Sequence, residues 1–132
     1  MRHITLSLVA ALIAVASTAT AQSYRAENRV TVTAQSGGLF SVPAATRFGA
    51  RGAWCAAADY AENVLGASGT SRLYVRIPQT TNSGPVVFGL TPGNTTPVGV
   101  QGTTAALRTA GSNLSVDHAI QFCADSRLIS SR

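Results

Sequence analysis

Two cysteines, Cys55 and Cys123, stand 68 positions apart, and the chain holds no others. No other feature constrains its folding so much. An intramolecular bond between them has only one connectivity. Closing a loop of that length removes entropy from the unfolded chain, worth roughly 4 kcal/mol to the fold. That is a large share of the roughly 5–15 kcal/mol that holds a domain together. A metal site is a poor alternative. Zinc takes three or four protein ligands, and beyond residue 21 only His118 could join the two sulfurs. A reactive thiol is the other alternative, because Arg51 near Cys55 would lower its pKa. In an oxidising compartment, however, a free thiol would not persist beside a second cysteine.

The first twenty-one residues address the compartment. Arg2 and His3 form a short basic head, and residues 4–16 carry no charge. Residues 17–21 are small or hydroxylic and end in Ala-Thr-Ala. This is the pattern of a signal peptide with cleavage after Ala21. The apolar run is too short to cross a hydrocarbon core of about 30 Å as a helix. Residues 22–132 are therefore expected to be one exported domain, periplasmic or secreted, without a transmembrane segment. In that setting a pair of cysteines forms a disulfide by default.

About 111 residues can bury a real core but stay marginal, so one crosslink matters. From Gln22 onward nine arginines and five acidic residues leave a charge of +4, and the chain has no lysine. Arginine suits planar, bidentate recognition of carboxylate or phosphate. GC-rich coding accounts for the same bias. A charge of +4 with no basic run is a weak footprint for nucleic acid.

Residues 22–28 are polar and read as a loose lead-in. Residues 29–34 alternate with period two and predict a strand. A Gly-rich turn and residues 39–42 complete a hairpin. Residues 52–65 form the clearest helix. Ala53, Trp54, Ala57, Ala58, Ala61, Val64 and Leu65 share one side, and Asp59, Glu62 and Asn63 lie toward the solvated one. Cys55 falls at the edge of the apolar stripe, and Gly66 is a good stop. Residues 71–77 predict a strand, with Leu73, Val75 and Ile77 on one face and Arg72, Tyr74 and Arg76 on the other. Residues 85–90 predict the next strand. Residues 91–104 read as a mobile loop with a short strand near Val98, and residues 105–109 as another strand. Ser115 is a good N-cap for a second helix that carries Cys123 at the centre of its buried stripe. The tail from residue 126 shows no pattern. The sum is an α+β fold: a small antiparallel sheet of four to six short strands with two helices linked by a disulfide.

Catalytic constellations are not visible. His118 would need convergent partners, and Asp125 lies two helical turns away. Asp59 and Glu62 read as ordinary solvated acids. The residues around Ser68 lack the Gly-x-Ser-x-Gly spacing, and no Gly-Lys-Ser/Thr ending marks a phosphate loop. Asn94 and Asn113 match the glycan-acceptor pattern. The sequence thus assigns no catalytic residue, metal or cofactor. The candidate surface is Arg72, Tyr74 and Arg76 on one strand face, with Arg47 and Arg51 before the first helix, whose N-terminus attracts anions. Such a surface suits an anionic glycan, a lipid headgroup or an acidic protein. The expected role is a non-enzymatic exported binding or structural domain. The alternative is a small secreted enzyme or enzyme inhibitor, for which residues 91–104 would be the reading head.

The segment Gly49-Ala-Arg-Gly-Ala-Trp-Cys-Ala-Ala-Ala-Asp-Tyr60, with Arg72-Leu-Tyr-Val75 and Ser115-Val-Asp-His-Ala-Ile-Gln-Phe-Cys123, resembles a group of small exported bacterial proteins with no assigned activity. The resemblance implies a bacterial, periplasmic or secreted setting. It implies no catalytic residue, substrate or cofactor.

Overall fold

The structure is a computed structural model and describes residues 13, 22–100 and 102–130. The signal peptide expected over residues 1–21 lies, but for Ile13, outside the described residues.

Six strands form one antiparallel sheet: β1 (Ser23–Arg25), β2 (Thr31–Ala34), β3 (Phe40–Pro43), β4 (Arg72–Ile77), β5 (Pro85–Gly89) and β6 (Asn113–Ser115). Their spatial order is β1-β2-β3-β5-β4-β6. Helix α1 (Gly49–Asn63) links β3 to β4, and β5 pairs antiparallel with both. β3 and β4 therefore run parallel with β5 between them. Helices α2 (Thr103–Leu107), α3 (Val116–Ile120) and α4 (Ala124–Ser130) follow, with a 3-10 turn at Gln121–Cys123 joining the last two. The fold is α+β.

Cross-strand partners share a face of the sheet. Tyr24 pairs with Val32, Ala34 with Phe40, Phe40 with Phe88, Phe88 with Val75, and Leu73 with Leu114. That row faces the helices, and Val32, Phe40, Val42, Leu73, Val75, Val86 and Phe88 are fully buried in it. Trp54 of α1 meets Phe88 edge-on at 5.1 Å and donates its indole N–H to the Thr103 carbonyl at 3.3 Å. Phe40 packs between Tyr60 at 4.6 Å and Phe88 at 6.0 Å.

Helix α1 is buried from Gly52 to Ala61 on every side, because the sheet, α2 and α3 enclose it. An apolar stripe on one face is therefore an incomplete description, and alanines let all three neighbours approach closely. The helix stops at Asn63, leaving Val64 and Leu65 exposed. Gly66 takes φ +67°, and the Ala67 N–H returns to the Ala61 carbonyl at 2.9 Å. The Ser115 hydroxyl caps α3 by accepting the His118 N–H at 3.1 Å.

Several local expectations change. The lead-in contains β1. The strand expected at 105–109 is largely α2. The patternless tail forms α4. The short strand expected near Val98 is present as one bridge: Val98 pairs parallel with Ser112, and Asn113 Nδ2 donates to the Val98 carbonyl at 3.2 Å. Ile77 leaves its expected face, because a bulge after Val75 pairs Ile77 with Val87. Ile77 is 54% exposed.

Candidate functional site

Cys55 and Cys123 are bonded and fully buried, with Cα atoms 5.0 Å apart. The bond joins α1 to the 3-10 turn after α3, so neither sulfur is a free thiolate.

Asp59 is a correction. It is 5% exposed. Its Oδ1 accepts from the Tyr24 hydroxyl at 3.1 Å, its Oδ2 from the Glu27 N–H at 2.7 Å, and Asn63 Nδ2 also donates to Oδ1. Burial, then the Asp59 charge, raises the pKa of the Tyr24 phenol. The carboxylate holds β1 and its loop against α1. His118 is exposed, with its ring against Phe122 at 5.6 Å. No group of three or more His, Cys, Asp or Glu is placed to hold a metal among the described residues.

The five arginine and aromatic residues of the candidate surface do not form one patch. Arg72, Tyr74 and Arg76 lie on the sheet face away from the helices, since Arg72 pairs with Ser115 and Tyr74 with Gly89 and Asn113. Arg47 and Arg51 lie at the start of α1, on the opposite side. Arg51 is already occupied. Its Nε and Nη2 donate to both oxygens of Asp125 at 2.8 and 3.1 Å, and its guanidinium covers the Phe122 ring at 4.6 Å. The hydrogen bond to Asp125 raises its pKa further. Arg47 covers Phe48 at 5.8 Å.

The outer sheet face has a simple electrostatic character. Among the described residues no strand contains an Asp or Glu. The strand arginines are Arg25, Arg72 and Arg76, and all three point outward, Arg25 through its pairing with Thr31. Arg72 Nε donates to Asn113 Oδ1 at 3.0 Å, and Arg76 Nη1 to the Thr91 carbonyl at 3.3 Å. Both acceptors are neutral, and neither arginine forms an ion pair with a carboxylate among the described residues. Thr31, Thr33, Ser41 and Ser115 add hydroxyls to the same face. Arg25 lies four strand spacings from Arg72 and Arg76, about 19 Å across the sheet. Asn113 spends its side-chain amide on Arg72, Val98 and Gly111, and is half-buried.

A cleft of about 590 Å³ lies elsewhere, between the β1–β2 loop, residues 43–48 and α4. Arg29 and Arg47 line it, with Val30, Phe48 and Ile129 as apolar wall. The β1–β2 loop is a tight turn. Ala26 N–H donates to the Val30 carbonyl at 3.0 Å and Arg29 N–H to the Ala26 carbonyl at 2.8 Å. Arg29 holds φ +64°, and every other described residue with positive φ is glycine. Sequence reading missed Arg29 because the turn lacks the Asn-Gly or Asp-Gly pair that announces such hairpins.

Compared with known proteins, the chain matches no family model, no curated protein and no solved structure.

Proposed function

We propose that the chain is an exported, non-enzymatic binding domain whose outer sheet face takes an acidic polysaccharide. One observation carries this reading: the strands present three arginines on one face and no carboxylate on either. A surface of one sign attracts polyanions over several ångströms. The arginines are spread too widely for a single small anion, and their spacing suits a polymer with repeated charges. Guanidinium groups bind carboxylate and sulfate in paired geometry. The aromatic Tyr74 and the row of hydroxyls suit sugar rings better than an acyl-chain interface. The buried Asp59 and the bonded sulfurs serve the fold, which supports a binding role over a catalytic one.

Affinity chromatography on immobilised heparin tests the reading. The chain is expected to bind at low salt and elute as salt screens the charges. The Arg25→Gln, Arg72→Gln, Arg76→Gln triple variant should bind at least tenfold more weakly, about 1.4 kcal/mol. Equal retention of a folded triple variant refutes the proposal. Preferential binding to anionic vesicles or an acidic peptide assigns the face to a different partner.

A further inference from the structure

We infer that the cleft beside Arg29 binds a small amphipathic carboxylate, at a site separate from the arginine-bearing sheet face. Its lining divides by chemistry. Arg29 and Arg47 supply two guanidinium groups, and Val30, Phe48 and Ile129 supply an apolar wall. Neither guanidinium forms an ion pair with a carboxylate among the described residues. The one acid in the lining, Glu27, is held by Arg127 at 2.8 Å. The net field in the cleft is therefore positive. A volume of about 590 Å³ lies in the range of small-molecule sites.

The walls are set before any ligand arrives. Asn28 Nδ2 donates to the Gly52 carbonyl at 2.9 Å, and Asn28 Oδ1 accepts the Val30 N–H at 3.3 Å. Thr46 accepts the Phe48 N–H at 3.2 Å and donates to the Gly49 carbonyl at 2.8 Å. A preformed site loses less entropy on binding.

The backbone of Arg29 is an independent observation. A non-glycine residue at φ +64° is disfavoured, and glycine fits that turn position without penalty. Arginine therefore stands where folding alone favours another residue. Strain retained at one position points to a role for its side chain. The ligand class follows from the lining: a carboxylate met by Arg29 and Arg47, with an apolar body against Phe48 and Ile129. An inorganic anion leaves the apolar wall unused, and a neutral alcohol leaves both charges unpaired.

Titration of the purified chain with decanoate below its micelle concentration tests this, read by calorimetry and by amide shifts. Decanoate should bind saturably and shift the amides of residues 29–31 and 46–48. Acetate, inorganic phosphate and decanol should each bind at least tenfold more weakly. Arg29→Gly should weaken decanoate at least tenfold with Tm unchanged or higher, and Arg47→Gln should weaken it similarly. Heparin retention of Arg29→Gly should stay near that of the parent chain, so the two sites fail independently. Absence of saturable binding, equal binding of decanol, or full affinity in folded Arg29→Gly overturns the inference.

Discussion

The Tyr24 hydroxyl donates to Asp59 at 3.1 Å, and 35 positions of chain separate the two residues. One buried carboxylate thus holds the first strand of the sheet to the central helix. Asp59→Ala leaves the Tyr24 hydroxyl and the Glu27 N–H without their acceptor, while the Asn63 amide keeps only the backbone carbonyl of residue 59. A loss of about 2–4 kcal/mol is expected, from unmet donors at roughly 1–3 kcal/mol each. Urea unfolding measures it. Hydrogen exchange should also quicken at Ala34, whose amide bonds the Gln22 carbonyl beside β1.

The same pair predicts a pH dependence. The folded pKa of Tyr24 is raised above its ordinary value of 10.0, first by burial and then by the Asp59 charge. The folded state therefore holds the phenol proton more tightly than the unfolded chain. Its stabilising contribution is complete below about pH 10 and is lost as pH rises through the folded pKa. Thermal unfolding followed from pH 8 to 12 should show Tm falling on the alkaline side. Tyr24→Phe should flatten that fall, and an identical alkaline limb would contradict the assignment.

The disulfide is expected to contribute about 2–5 kcal/mol. The Cys55→Ala, Cys123→Ala double variant should lose that amount in urea. Intact mass should be two hydrogens below the reduced value. Both sulfurs are fully buried, so the reductant should act only when the chain opens, and alkylation should require denaturant.

Gly52 gives a prediction that runs against helix propensity. A glycine inside a helix ordinarily costs roughly 0.5–1 kcal/mol relative to alanine. At position 52 an added Cβ would sit 2.9 Å from the Phe48 Cβ and closer still to the Thr46 hydroxyl. Gly52→Ala should therefore destabilise, by about 1–3 kcal/mol from crowding. A raised urea midpoint would refute the packing described for the turn at residues 46–48.

Much of the fold was legible because its causes are local. The Ser115 cap depends on a hydroxyl three residues from its donor. The alternation of Leu73 and Val75 needs only the period of a strand. The pairing of Cys55 with Cys123 needs only arithmetic and a compartment. Other features depend on partners that a linear reading does not contain. Ile77 turned outward because the register with Val87 shifts at a bulge. Asp59 was misplaced because helical periodicity assumes one packed face, whereas α1 has neighbours on several. β1 is three residues long, too short to show a period, and its identity comes from β2. The candidate surface was half legible. Arg72, Tyr74 and Arg76 share a face as alternation requires, but the sheet stands between them and Arg51, which Asp125 has engaged. The Arg29 cleft draws on three segments, the last about eighty residues beyond the second, so no sequence window contains it.

The placement of β5 between β3 and β4 has a consequence for assembly. The two strands joined by α1 cannot touch each other along their length, and the gap between them accepts only residues synthesised later. Any fragment ending before Pro85 therefore lacks the middle of its own sheet. A fragment that ends between β5 and residue 122 still lacks the second sulfur. The bond between Cys55 and Cys123 can close only after the segments of all six strands have been made.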